Sequence, residues 1–232
     1  KMHELYAEFE KQLPGRFFVE SIDIPFNFST INNRAAKKAH GEYLLFLNND
    51  TEVITENWLT LMVSFAQQER IGCVGAKLLY PNNTVQHAGV ILGLGGVAGH
   101  GHYGYPHGDL GYFGRLAINV NYSAVTAACL LMKKADFDAV GGFEEAFTVA
   151  FNDVDLCLKV QALGRDNVWL HEAELYHFES QTRGYDDKGK KKKRFEQEKV
   201  MMEEKWGPLI ENDPFYNPNL TRDIPNFSLR ID

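Results

Sequence analysis

Apolar positions along this chain alternate between stretches with helical spacing and short continuous blocks, and the two kinds follow one another in turn. Met2–Leu13 has helical spacing and runs into Pro14-Gly15, which predicts a first helix with a sharp stop. Arg16–Ile24, rich in Phe, Val and Ile and closed by Pro25, predicts a strand. Ser29 is placed to cap a helix over Thr30–His40, where Ala35, Ala36 and Ala39 allow close packing and Gly41 supplies the stop. Tyr43–Leu47 is continuously apolar, as expected of a strand covered on both faces. A helix is predicted over Glu56–Gln68, with Thr55 as cap and Trp58, Leu59, Met62, Val63 and Ala66 facing inward. Gly72–Leu79 predicts the next strand. This alternation implies an α/β fold with helices layered on a mostly parallel sheet. Ligands of such sheets bind beyond the carboxyl ends of the strands, where Asn48-Asn49-Asp50 falls.

The second half is less regular. Gly89–Gly114 is too rich in glycine for a helix and predicts a mobile loop or a pair of irregular strands. Ser123–Lys133 predicts a buried strand, Lys134–Val140 a short helix closed by Gly141-Gly142, and Asn152 the start of a helix that Gly164 ends. Val168–Leu170 predicts a last short strand, followed by a charged helix over about Lys190–Trp206. The Pro- and Asn-rich stretch Asp213–Asp232 is expected to drape over the surface. Residues 1–180 are thus expected to form the main domain, with 181–232 a helix and tail packed on it.

At 232 residues the chain can bury a full core. A net charge of -7 argues against a nucleic-acid partner, because no global positive field would attract phosphate backbones. Cys73, Cys129 and Cys157 stand singly in apolar surroundings without C-x-x-C spacing, which predicts buried reduced thiols. No apolar run approaches the roughly 20 residues that span a bilayer, and the charged Lys1–Glu10 does not resemble a signal peptide. The expectation is a cytoplasmic, soluble polypeptide.

Two acidic motifs carry the candidate chemistry, and each has a plain alternative. Asp50, beyond the strand Tyr43–Leu47, suits Mg²⁺ or Mn²⁺, hard cations that prefer carboxylate and phosphate oxygens. Asn48–Thr51 is equally good turn chemistry. Asp153 and Asp155, at a helix start, suit either a general base in a cleft or first-turn carboxylates that offset the helix dipole, with Asn152 another possible cap. His177 stands close to Ser180, Thr182 and Arg183, which suits phosphate or metal contact, although a lone His is more often structural. His100 and His102 lie in flexible glycine-rich sequence, and a substrate-loop role is preferred over a metal site. The basic run Lys188–Arg194 would suit anionic lipid head groups, but Glu196, Glu198, Glu203 and Glu204 follow and favour a solvated helix face.

In order along the chain, Phe26–Ser29 with Asn32-Asn33, Gly41–Thr51, Val125–Leu131, Gly141–Glu145, Phe151–Leu158, Tyr176–Gly184 and Asp213–Thr221 resemble glycosyltransferase family 2, particularly its bacterial rhamnosyltransferase-like branch. The resemblance implies the GT-A fold of nucleotide-diphospho-sugar transferases and inverting transfer of a sugar to an acceptor hydroxyl, in cell-surface polysaccharide synthesis. It implies Asp153 as catalytic base and Asn33, Asn48, Asn49, Asp50, His177 and Arg183 on the donor diphosphate side. Asp155, His100 and His102 fall on the acceptor side, and Asp50 and His177 become ligands of Mg²⁺ or Mn²⁺. Asn48 stands where the family more often has a first Asp. The implied partners are a nucleotide-diphospho-sugar donor and a glycan or lipid-linked acceptor, with peripheral contact at the inner face of the membrane.

The family's opening strand, helix and second strand, which contact the nucleotide base and ribose, have no counterpart in this sequence. An N-terminally incomplete domain is therefore expected, with an exposed sheet edge prone to self-association. A non-catalytic module that binds glycan or a protein partner is the alternative reading. A nucleotidyltransferase fits less well, because no Gly-rich loop with a basic residue is present for a triphosphate.

Overall fold

In a computed structural model, residues 2–178 and 189–231 are described. Helices α1 (Met2–Gln12) and α2 (Phe28–Lys38) precede strands β1 (Tyr43–Leu47) and β2 (Thr51–Val53), helix α3 (Trp58–Ala66) and strand β3 (Ile71–Leu79). Short strands β4 (Val85–His87), β5 (Val90–Leu92), β6 (Ala98–His100) and β7 (Val120–Tyr122) lead to β8 (Cys129–Lys133). Then come α4 (Lys134–Ala139), α5 (Asn152–Gln161), β9 (Asp166–His177) and α6 (Gly189–Glu211).

The main sheet runs β1-β8-β3-β9-β2, with β4 also on β3 and β7 also on β9. Strand β8 is antiparallel to both β1 and β3, and β9 is parallel to β3, so β1, β3 and β9 all point the same way. The predicted common direction is therefore present in the core, while β8 is inserted against it and β2, β4 and β7 pair antiparallel at the flanks. Every residue of β3 is buried, which accounts for its continuous apolar character. Alternate side chains separate into two layers. Val74, Ala76 and Leu78 pack with Met62 and Ala66 of α3, whereas Cys73 and Leu79 face the cluster of Ala36, Phe137, Leu156 and Met202 from α2, α4, α5 and α6. Gly75 lets this second layer approach, since a Cβ there would lie 2.5 Å from Val125 Cβ.

Several boundaries differ from expectation. Arg16–Ile24 forms no strand: Phe18 is 77% exposed, and Phe17 packs on Tyr6 and Phe9 of α1 instead. β propensity without a paired neighbour yields no ladder. Asn27, not Ser29, caps α2 by accepting from Thr30 N–H at 3.0 Å, and Ser29 is buried inside the helix, donating to Phe147 O. Thr55 does not cap α3 but bonds the β9 backbone at Glu172 and Glu174. Strand β9 extends well beyond Val168–Leu170, because its polar Glu174 is neutralised by the buried Lys77 of β3 at 2.9 Å. The glycine-rich segment holds the small β5–β6 hairpin. The three thiols are free and buried, and burial pushes that of Cys129 up to about 12.

The C-terminal stretch does more than drape. Asp213 accepts from Leu92 N–H, Ser123 Oγ and Phe215 N–H, and Tyr216, Leu220 and Phe227 join the main core cluster. Helix α6 is locked to α5 through Asp155, which is fully buried and receives Lys205 Nζ at 2.6 Å, Trp206 Nε1 at 2.9 Å and Lys159 Nζ at 3.2 Å. Removing this carboxylate takes the acceptor from Lys205 and the Trp206 indole N–H, while Lys159 keeps Gly142 O at 2.6 Å. Asp155→Ala is expected to lower unfolding free energy by about 3–5 kcal/mol, measured by urea titration. A loss under about 1 kcal/mol, the range of exposed pairs, would refute the lock.

Candidate active site

The chain leaves β1 at Leu47, and Asn48 N–H donates to Ala128 O at 2.9 Å. Thr51 Oγ1 closes the following turn on Asn48 O, and the chain enters β2, where Thr51 pairs with His177 at the end of β9. Two strand ends thereby bring Asp50 and His177 together. His177 Nε2 lies 3.2 Å from Asp50 Oδ1 and 3.2 Å from Asn48 Nδ2. Its Nδ1 lies 2.7 Å from Gln86 Oε1, on β4. An amide oxygen only accepts, so Nδ1 donates to Gln86 and the ring turns its Nε2 toward Asn48 and Asp50. Asp50 Oδ1 is buried and receives no hydrogen bond. A carboxylate oxygen and an imidazole lone pair this close repel unless a proton or cation lies with them, so the donor set fits a hard or borderline divalent cation. Among the described residues, no group of three or more His, Cys, Asp or Glu is placed to hold a metal. Asp50 and His177 would therefore need further ligands beyond the described His, Cys, Asp and Glu residues.

Beside this pair is a polar cavity of about 200 Å³ lined by Tyr80, Gln86, His87, His100, Tyr103, Thr126 and His177. His87 Nε2 accepts from Thr126 N–H at 3.3 Å, which leaves its Nδ1 to donate to His100 Nδ1 at 2.8 Å. Burial, then the nearby His100 and His177, hold the His87 ring well below the usual imidazole range, in keeping with a neutral donor.

Asp153 stands in the first turn of α5. Its Oδ1 accepts from Val154 N–H within its own helix, while Oδ2 reaches across to Ala127 N–H at 3.1 Å. The cap position belongs to Phe151, in the left-handed region, and Asn152 Nδ2 donates to Val149 O. Asp153 thus serves its helix and also leans on the strand entry beside Asn48.

Other expected residues are placed elsewhere. The Asn33 side-chain amide bonds Phe143 through both its N–H and its C=O, clamping α2 to the Gly141–Phe143 turn. Asp155 points into the α5–α6 lock, because residues two apart on a helix face opposite sides. His100 lines the cavity, but His102 is fully buried, accepts from Tyr112 N–H and stacks on Phe227 at 4.1 Å. Asn49 occupies the turn and is exposed. Arg183 lies outside the described residues. Gln86, His87 and Thr126 were not singled out from the sequence, although Gln86-His87 is a polar pair inside the buried strand β4 and so must have partners.

The architecture resembles that of solved nucleotide-sugar transferases. The crystal structure of GalNAc-T7 with UDP, GalNAc and Mn²⁺ superposes with a TM-score of 0.67 at 14% identity, covering 94% of this chain and 44% of that one. The mannosyltransferase PcManGT from Pyrobaculum calidifontis, in complex with GDP-Man and Mn²⁺, gives 0.58 at 13% identity over 88% of this chain and 50% of that one. The fold is thus the GT-A type. Residues 3–139 match the model of glycosyl transferase family 2, and the chain belongs to that family. Asp153 and His177 lie beyond the matched residues, so their placement rests on the geometry above. An uncharacterized protein of Sinorhizobium fredii, y4gI, is 53% identical over 206 residues, 88% of this chain and 23% of that protein. The O-antigen biosynthesis protein RfbC of Myxococcus xanthus is 40% identical over 230 residues, 98% of this chain and 18% of that protein. The chain spans less than a quarter of the length of these curated relatives.

Burial, with Arg115 nearby, lowers His102 to about 4. The unfolded chain protonates this ring near pH 6.5 and the folded protein does not, so the unfolded state binds the extra proton between these values. Stability should fall as the pH is lowered through that window, by about 1.4 kcal/mol per unit for this single proton. His102→Gln keeps an acceptor for Tyr112 N–H and should flatten the profile by that amount in denaturant titrations. An unchanged slope would overturn the assignment.

Proposed function

We propose that the chain is the catalytic part of an inverting glycosyltransferase that moves a hexosyl group from a nucleotide-diphospho-sugar to an acceptor hydroxyl, in the synthesis of a cell-surface polysaccharide. The observation that carries this reading is the joining of two chemistries at one strand entry. Asp153 is bonded to Ala127 N–H, and Asn48, next to Asp50 and His177, is bonded to Ala128 O. Family membership and the nucleotide and Mn²⁺ named for the superposed transferases support it.

In this reading the acceptor hydroxyl attacks the anomeric carbon from the face opposite the leaving group. As the new C–O bond forms, Asp153 takes the hydroxyl proton, and the bond to the diphosphate oxygen breaks with its electron pair leaving on the nucleoside diphosphate. Ala127 N–H keeps one carboxylate oxygen oriented. Asp50 and His177 would hold Mg²⁺ or Mn²⁺, which supplies positive charge against the diphosphate. Gln86 accepts from His177 Nδ1 and orients the ring so that Nε2 is the nitrogen facing Asp50. The cavity containing His100 is assigned to the sugar substrates. A glycan or lipid-linked acceptor, a cytoplasmic position at the inner face of the membrane, and self-association through the outer edge of β1 belong to the same reading. Among the described residues, no strand pairs with that edge and no helix is long and apolar enough to cross a membrane.

Asp153→Asn should reduce transfer by about 10²–10⁴-fold while leaving Mn²⁺-dependent UDP or GDP binding intact in calorimetry. Near wild-type transfer would remove Asp153 as base. A wild-type chain that binds neither nucleotide with Mn²⁺ would instead favour a glycan- or partner-binding module. Gln86→Leu frees the His177 ring and is expected to weaken Mn²⁺ binding in the presence of UDP or GDP by about 10–100-fold. Unchanged Mn²⁺ affinity would show that Gln86 does not orient a metal ligand.

A further inference from the structure

Glu198 was expected on the solvated face of a charged helix, yet it is only 2% exposed. A carboxylate is tolerated at such burial when its oxygens are fully bonded. Glu198 Oε1 accepts from Thr148 N–H at 2.7 Å, Thr148 Oγ1 at 2.7 Å and Val149 N–H at 3.1 Å. Its Oε2 accepts from Ala150 N–H at 3.0 Å and lies 3.8 Å from Arg194 Nε. Three successive peptide N–H groups thus converge on one side chain, an arrangement that backbone adopts around an anion.

The loop held in this way leads directly into the candidate base. Phe151 follows with φ 61 and ψ 2, a left-handed conformation that a bulky residue adopts only under constraint. Its ring packs on Phe195, one turn before Glu198 on α6, with centroids 5.4 Å apart. Asn152 closes back on Val149 O, and Asp153 comes next with Oδ2 on Ala127 N–H. On the far side of Asp153, Lys205 and Trp206 of α6 hold Asp155. Helix α6 therefore grips the chain both before and after Asp153. Phe195, Glu198, Met202, Lys205 and Trp206 recur at the spacing of one helix face.

We propose that Glu198 is a positioning residue for the transfer reaction, fixing the 148–150 loop so that the Asp153 carboxylate meets Ala127 N–H and faces the acceptor. This rests on the reading of Asp153 as the base. The charge matters, because only a carboxylate offers acceptors on both sides. Glutamine would turn its NH₂ toward a peptide N–H and lose at least one of these bonds.

Glu198→Gln and Glu198→Ala, with Asp153→Asn as reference, test this in the full chain. Three readouts are needed: amide hydrogen exchange over 148–154, the number of sites binding UDP with Mn²⁺ in calorimetry, and release of nucleoside diphosphate from a panel of UDP-, GDP- and dTDP-sugars. The expected result is faster exchange extending through Asn152 and Asp153, and a kcat per UDP-binding site about 10–100-fold lower with donor KM changed less than about twofold. A purely structural role would reduce the number of binding sites and leave kcat per site unchanged, which overturns the proposal. Exchange at Asn152 and Asp153 that stays at the wild-type rate in both variants also overturns it. Should Glu198→Ala fail to fold, Glu198→Gln carries the test. Wild-type turnover by Asp153→Asn would remove the base reading alone, and exchange would still decide whether Glu198 sets the loop.

Discussion

Three successive peptide groups at the entry to β8 tie the candidate site together. Thr126 N–H bonds His87 in the cavity, Ala127 N–H bonds Asp153, and Ala128 O receives Asn48 N–H beside the Asp50–His177 pair. Peptide units are planar and joined at fixed distances, so these attachments cannot shift independently. The segment is itself pinned from below. Val125 exchanges contacts with Cys157 Sγ through both its N–H and its carbonyl, Ala124 O receives Val90 N–H, and Gly75 leaves room for the Val125 side chain. A side chain at Gly75 would collide with that of Val125, the residue just before the three attachments.

The antiparallel direction of β8 is what makes this possible. In a sheet whose strands all ran one way, the edge that receives ligands would be built from strand exits alone. Because β8 opposes β1 and β3, its entry lies beside their exits, and peptide groups not yet committed to the ladder face the site. Asp50 and His177 then come from exits, whereas the support for Asp153 comes from an entry. The neutral, hydrogen-bonded chain from Thr126 through His87 to His100 extends the same support across the cavity wall.

Much of this was legible in the sequence where the controlling interactions are local or repetitive. Tyr43–Leu47 and the block at Gly72–Leu79 read as buried strands because continuous apolar character has few other uses in a chain of this kind. The turn after β1 and the helix start at Asn152 were visible for the same reason. The misreadings share one cause, a partner remote in sequence. Strand β9 looked short because Glu172 and Glu174 break its apolar run, and nothing local shows that Lys77 awaits Glu174. Glu198 looked solvated among charged neighbours, although its partners lie fifty residues earlier. Asn33, His102 and Asp155 stand in motifs that suggested ligands, yet Asn33 bonds Phe143 and Glu145, His102 Nε2 accepts from Tyr112 N–H, and Asp155 holds Lys159 and α6. Residue type alone does not separate a polar group that binds substrate from one that satisfies a buried neighbour.

Charge arithmetic at the Asp50–His177 pair connects the proposed chemistry to this scaffold. Gln86 accepts from His177 Nδ1 and so turns Nε2 toward Asp50, and an amide, Asn48, stands where a second carboxylate would add charge. The pair therefore offers a divalent cation a single formal negative charge and one imidazole nitrogen. Two ligands of this kind leave much of a divalent ion's charge and coordination unsatisfied. On the proposed reading a nucleoside diphosphate supplies both deficits, so cation and donor each strengthen the binding of the other, reciprocally by linkage. The weak charge of the protein site then has a function: it disfavours the cation without its nucleotide. The conformation of His177, set by a bond to a buried glutamine, becomes the feature on which that selectivity depends.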